Sequence, residues 1–479
     1  NKLETIESGD NQNIPFIGLK ESVRKSMRSS HTHKSFHQQE LKLEEKVGPF
    51  PGVLTLVGTI IGGGIVGIPY ATLQTGIWLI LGVHLLNFIW GIYSVHLLME
   101  AKRISGLSSF SELGYYSFGR TSIFIINGLI VIAQCGMPIV FFMTVGEIGT
   151  GLLERIDKLN DTWWQKRQFP IIVVAILLFY FAIKKEIQEL KIVGFLLLIG
   201  VVLFIIAMTI LLITEGTENY TFAEVSNPKF DINMLANIPT LFISYAFQSA
   251  FFPVYQSLKD KSNKNVVIVT TSSFTFCAVI YLSISIVALL KFGTGLDASI
   301  LANVSHMDGW LPIVIDIVFL LIIMMHLPIV LFVGKEALLI IVDEALRKTY
   351  SEKPRPTIDD AYHLRDSVMK RQGLEAEGKA YLSMNPILFY GISVTVYCAI
   401  VTAACLLNDI TLIFGIIGSI AGSYLIFIAP SQFYLSAVRN EAEDVTLTRK
   451  LIAWAYMIFG FIVLSVCLFA TIYTAVKDD

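Results

Sequence analysis

Three consecutive glycines, Gly62, Gly63 and Gly64, stand inside a stretch, residues 47–99, that contains no Asp, Glu, Lys or Arg. A helix that crosses a bilayer needs ~20 apolar residues, so the stretch holds two spans and the glycines interrupt the first. Each glycine weakens a helix by ~1 kcal/mol against alanine. In hydrocarbon, broken backbone is tolerated only where protein buries it or where it lines a water-filled cavity. The interruption therefore exposes N–H groups at the start of a second half-helix. Backbone without side chains can approach a carboxylate closely, and a helix N-terminus favours its charge. Thr59, just before the glycines, can add a hydroxyl. The other use of such glycines is close helix packing, and the two roles can coexist.

A second constellation lies in the sixth apolar segment, Ile243-Ser244-Tyr245-Ala246-Phe247-Gln248-Ser249-Ala250-Phe251-Phe252-Pro253-Val254-Tyr255. Its middle is polar, and Pro253 removes one helical hydrogen bond. Carbonyls freed near Phe247, Gln248 and Ser249 can accept from an ammonium. An ordinary proline kink is the alternative. The eighth segment holds His326, whose imidazole titrates near neutrality, and ionisable groups within a membrane are functional candidates by default. A neutral, hydrogen-bonded histidine is the competing reading. Asp316 reads as an interface residue, Glu147 as a solvated end of the third span, and His84 as structural.

The elements that must position these groups follow from composition. The chain has 479 residues, of which 54% are hydrophobic and 15% charged; mean hydropathy is +0.65. Soluble domains carry roughly 25% charged residues, so the expected class is an all-α polytopic membrane protein. Eleven spans are expected, at 51–75, 77–99, 122–147, 168–184, 190–214, 235–257, 265–290, 310–335, 384–407, 410–437 and 451–476. Inverted repeats in transporter folds each begin with a broken helix. Breaks in spans 1 and 6 thus predict a five-plus-five arrangement with one extra helix. The first repeat covers 50–214, the second 235–437 with an insert at 343–383, and the last span 451–476.

Lysine and arginine cluster in the polar tail, 1–49, and after the even-numbered spans, as at Lys102-Arg103 and Lys184-Lys185. By the positive-inside rule the N-terminus is cytoplasmic. The sequons at Asn160, Asn219 and Asn303 all fall in loops that this rule places outside. They favour the secretory route, hence the plasma membrane or a vacuole or lysosome. The five cysteines lie in apolar spans without metal-ligand spacing and read as small buried residues. No metal site, catalytic triad or phosphate-binding loop is apparent, and a net charge of −2 offers nothing to nucleic acid.

The motifs together resemble the amino acid/auxin permease family, which includes sodium-coupled neutral amino acid transporters and yeast-type vacuolar amino acid transporters. The resemblance spans residues 47–476. It rests on Ile60-Ile61-Gly62-Gly63-Gly64-Ile65-Val66-Gly67-Ile68-Pro69-Tyr70-Ala71, on Ala246-Phe247-Gln248 with Phe252-Pro253-Val254-Tyr255, on Leu327-Pro328-Ile329-Val330-Leu331-Phe332, and on Ile416-Ile417-Gly418-Ser419 with Phe427-Ile428-Ala429-Pro430. It implies an amino acid/polyamine/organocation-type fold and amino acid movement driven by sodium or protons, with substrate between the two breaks. In sodium-coupled members an Asn in span 1 and a hydroxyl in span 8 supply oxygens to the ion. Here Gly58 and His326 occupy those places. A hard cation prefers oxygen ligands, so proton coupling at His326, or no coupling, is expected ahead of sodium.

Three functions remain in play: a secondary active transporter of neutral amino acids, a transporter-like nutrient sensor or complex subunit with little flux, and a carrier of another small organic solute. An enzyme is not expected, and no organic cofactor is implied. The tail and the 343–383 loop are the candidate contacts for protein partners, and stable co-purification would favour the sensor or subunit.

Overall fold

A computed structural model describes residues 47–156, 163–185, 190–349 and 380–478. The tail 1–46, Asn160 and loop residues 350–379 lie outside the described residues. The chain divides into a short unit, Asn1–Val47, and a body, Gly48–Asp479.

The body is helical. In chain order its helices are α1 Pro49–Ile60, α2 Gly64–Thr75, α3 Ile77–Ser105, α4 Phe110–Phe118, α5 Arg120–Ile156, α6 Gln168–Ile183, α7 Leu190–Glu215, α8 Phe222–Ser226, α9 Ile232–Tyr245, α10 Gln248–Ser257, α11 Asn263–Phe292, α12 Ile300–Ser305, α13 Trp310–Arg347, α14 Pro386–Leu406, α15 Ile410–Ile417, α16 Ala429–Asn440 and α17 Leu447–Asp478. Two π-helical segments, Gly418–Gly422 and Tyr424–Ile428, join α15 to α16. Local chemistry sets many boundaries. Pro49 opens α1, where its missing N–H costs nothing. Asp231 and Ser262 cap α9 and α11 through their side-chain oxygens. Left-handed Gly106 ends α3, and Lys102 and Arg103 complement the carbonyls of its last turn.

Among the described residues, eight helices are long and apolar enough to cross a membrane. A further pair, α1 and α2, passes together but is bent by 68° at its break. Helix α6 is apolar but shorter. Its outward faces are bare hydrocarbon, with Ile176 70% and Leu177 61% exposed. Such faces suit lipid as solvent, not water.

Helices α5 and α13 pack along one another, and α7 lies against α13. Helix α9 packs on α2, α15, α17 and the first π segment. The two broken pairs are thereby held against each other inside the bundle. All five cysteines are free; Cys277 and Cys467 are buried, whereas Cys398 is exposed and so departs from the expected buried role.

Candidate solute site at two helix breaks

Helix α1 ends at Ile60, and Ile61 turns to an extended conformation with φ −72° and ψ 108°. Its N–H still reaches Val57 O, at 2.8 Å. The next donors do not. Among the described residues the N–H groups of Gly62 and Gly63 reach no backbone carbonyl, and Gly64, as the first residue of α2, has no acceptor within its own helix. Three consecutive donors are therefore available where α2 begins.

The glycines are crowded by their neighbours as well, Gly64 most of all. A Cβ on Gly64 would collide with the Oγ and Cβ of Ser244 on α9. A Cβ on Gly63 would lie 2.9 Å from Phe141 Cε1, and one on Gly62 3.2 Å from His326 Cε1. The first break thus abuts α5, α9 and α13 together. His326 is buried against it, with Phe141 5.4 Å away between ring centroids. Among the described residues its ring makes no hydrogen bond.

The second break falls at Ala246 and Phe247. Ala246 is extended, with ψ 106°, and Phe247 has φ −130° and ψ 0°. This corrects the sequence expectation that tied the break to Pro253; of the carbonyls expected near Phe247, Gln248 and Ser249, that of Phe247 itself is taken. Pro253 lies inside α10, and Phe247 O accepts the Ala250 N–H at 2.8 Å. The break sits earlier because Gln248 starts a new helix by turning its Oε1 back onto the Phe247 N–H at 3.0 Å. The carbonyls of Tyr245 and Ala246 are the ones left without a backbone donor among the described residues. Pro253 contributes differently: lacking an N–H, it gives Ser249 O no helical hydrogen. Gln248 is fully buried and its Nε2 has no partner.

One side chain joins the two breaks. The Tyr281 hydroxyl of α11 lies 3.1 Å from Ile60 O and 3.0 Å from Ser244 O. These carbonyls belong to the C-terminal ends of α1 and α9, where the helix dipoles are negative. A single O–H offers them one proton to share. Next to Ser244, the Tyr245 hydroxyl is 2.8 Å from His84 Nδ1 of α3. Neither tyrosine had a pattern in the sequence that singled it out; each is one aromatic among many in an apolar span.

The remaining candidate residues divide. Thr59 is exposed, and its Oγ1 donates to Thr55 O at 2.9 Å. Helix α1 continues past it, so its hydroxyl is spent on the preceding turn and does not join the break. Glu147 is not at a solvated helix end, because α5 runs on to Ile156; its Oε2 is buried without a partner, near Ser299, Arg167 and Asp297. Asp316 is an interface residue: it pairs with Arg155 at 3.1 Å and accepts from Ser305 Oγ at 2.9 Å. Asn219 is exposed. The Asn303 amide donates to Gly295 O at 2.9 Å and its oxygen accepts from Asp297 N at 2.8 Å. No cluster of three metal-binding side chains occurs among the described residues.

The arrangement offers backbone donors at a positive helix end and backbone acceptors a short way across the bundle, both in water-poor surroundings. That is a fit for a small zwitterion.

Comparison with known proteins identifies the family. The family model described as transmembrane amino acid transporter protein matches residues 45–475. The sodium-coupled neutral amino acid symporter 2 of Danio rerio is 23% identical over 439 residues, covering 86% of this chain and 80% of the relative. Among solved structures, MhsT in complex with L-phenylalanine shares the fold with a TM-score of 0.50 at 14% identity, covering 89% of this chain and 99% of that one. A mutant manganese transporter of Eremococcus coleocola matches with a TM-score of 0.42 at 11% identity, over 90% of this chain and 94% of that one. Over nearly its whole length, then, the chain belongs to the transmembrane amino acid transporter protein family.

Proposed function

We propose that this protein is a secondary active transporter of neutral amino acids that holds its substrate between the α1–α2 and α9–α10 breaks. The observation that carries the reading is the convergence of the breaks on Tyr281, with unpaired backbone donors on one side and unpaired carbonyls on the other. The N–H groups of Gly62, Gly63 and Gly64 receive the carboxylate. The carbonyls of Tyr245, Ala246 and Ser249 receive the ammonium. Gln248 Nε2 adds a donor, and Phe247 walls the site. The neutral amino acid class is taken from the Danio rerio symporter's name.

Coupling is to protons, or absent, rather than to sodium. Glycine at position 58 has no side-chain oxygen, and position 326 holds an imidazole against the first break. His326 is the candidate proton carrier at the substrate. Counting α1–α2 and α9–α10 as one span each, together with α6 and the eight long helices, gives eleven spans. We read these as five plus five inverted, with α17 extra. The N-terminus then faces the cytoplasm, Asn219 lies outside as a glycosylation acceptor, and the 343–383 loop joins the tail as a surface for partners. The protein resides in the plasma membrane or in a vacuole or lysosome.

The test is uptake of labelled neutral amino acids into liposomes under an imposed proton gradient, then under a sodium gradient. Accumulation with protons and loss of that drive in His326→Ala, with binding retained, is the expected result. Sodium-driven accumulation would overturn the coupling assignment; no uptake under either gradient would shift the reading to a sensor or subunit.

A further inference from the structure

Helix α3 carries polar side chains that the solute site does not use. The spacing of His84, Asn87 and Gly91 puts them on one helix face. That face is buried, with His84 3% and Asn87 2% exposed. Gly91 is in contact with the Phe274 ring, and Phe274 stacks on Tyr245 at 5.7 Å between centroids. Tyr245 is the last residue of α9, directly before the break, and its hydroxyl bonds His84 Nδ1 at 2.8 Å. The same face of α3 thus covers the hinge of the second broken helix. Yet His84 Nε2 and both amide atoms of Asn87 have no hydrogen-bond partner.

Leaving a buried polar atom unpaired costs ~1–3 kcal/mol, and here three lie within one helical turn. A neutral imidazole carries a single N–H and offers one acceptor. An imidazolium donates from both nitrogens: Nδ1–H to the Tyr245 oxygen, and Nε2–H towards Asn87 Oδ1, directly or through a water. The titratable groups that face this corner are Tyr245 on α9 and Cys277 and Tyr281 on α11. No carboxylate, ammonium or guanidinium of the described residues acts on His84. The cation therefore has no counter-charge while α9 stays packed on α3, and it requires water. Movement of α9 away from α3 supplies that water. Protonation and hinge movement are then linked, and each favours the other.

We propose that His84, with Asn87 and Tyr245, forms a proton site at the hinge of the second broken helix, separate from His326. The proton comes from bulk water when α9 moves and returns to water when α9 packs back. Because substrate binding involves the same hinge, binding and proton uptake are coupled. The proposal rests on the transport reading above.

The experiment is calorimetric titration of the purified full chain with L-alanine, L-leucine and L-glutamine in turn, in two buffers of different ionisation enthalpy. The difference counts protons taken up per amino acid bound. His84→Gln, which preserves a hydrogen-bond partner for Tyr245, is expected to keep binding while the count falls by about one. His326→Gln leaves that proton in place. Asn87→Leu keeps the imidazole but removes the acceptor for its second N–H, and is expected to lose the same proton; it serves equally if His84→Gln fails to fold. An unchanged count in a binding-competent His84→Gln or Asn87→Leu overturns the proposal. Wild-type binding without proton uptake also overturns it and leaves the amino acid site standing. If none of the three amino acids binds, the amino acid reading fails and the proton site falls with it.

Discussion

The break between α1 and α2 is made by omitting side chains, and the break between α9 and α10 by adding them. At the first, three glycines leave N–H groups unpaired and let α5, α9 and α13 close in on bare backbone. At the second, Gln248 folds back on Phe247, Tyr281 takes the Ser244 carbonyl, and Tyr245 is tied to His84. One break is a cradle of bare backbone and the other is a latched hinge. The difference sets the chemistry of each side: the glycine side presents N–H groups that no backbone carbonyl takes, whereas the α9–α10 side must release hydrogen bonds to move. Motion during transport should therefore concentrate at α9 and α10.

The largest test of this contrast is Gly64→Ala. The new methyl group meets the Ser244 side chain, so the two breaks cannot stay in register, and misplacement near 1 Å can cost about 100-fold in rate. Transport should fall by that order. The double variant Gly64→Ala with Ser244→Gly should recover much of it, measured as initial uptake in liposomes. Failure of the double variant to recover would mean that Gly64 matters for its backbone conformation and not for contact with α9.

Tyr281→Phe comes next. It removes the one proton that two helix-end carbonyls share in a dry interior, a loss of ~1–3 kcal/mol. Amino acid affinity should weaken roughly 5- to 150-fold, since each 1.4 kcal/mol is tenfold. Equilibrium binding to the purified protein reads this directly. Gln248→Leu should act more gently. Its Nε2 has no protein partner and its Oε1 holds the Phe247 N–H, so its loss should weaken substrate binding about tenfold and lower the melting temperature as well. A fall in melting temperature with unchanged binding would make Gln248 a structural capping residue only. Thr59→Val should do least, within about 0.5 kcal/mol of wild type, because its hydroxyl bonds only its own helix.

The two breaks also differ in how far they were legible from residues alone. A glycine triplet in an uncharged apolar run is a backbone signal, and the structure breaks the helix there. The second break was placed in the right segment but several residues late. Proline is the conspicuous helix breaker, yet Pro253 is accommodated within α10, while Gln248 achieves the interruption by a side-chain contact that has no sequence signature. Tyr281, Tyr245 and His84 act through helix rotation and neighbours, which spacing within one span does not encode. Thr59 failed for the same reason in reverse: adjacency in sequence did not rotate its hydroxyl towards the break. Glu147 was misread because hydropathy ends a span where charge appears, whereas α5 continues beyond it under cover from neighbouring loops.

Transport as proposed depends above all on a carboxylate sitting on the free N–H groups of Gly62, Gly63 and Gly64 while an ammonium sits on carbonyls of the second break. Competition against labelled L-alanine uptake tests this most directly, with L-alanine, L-alaninamide and N-acetyl-L-alanine as competitors. Only intact L-alanine is expected to compete, because each analogue lacks one of the two charged groups. Competition by L-alaninamide as strong as that of L-alanine would contradict the glycine cradle.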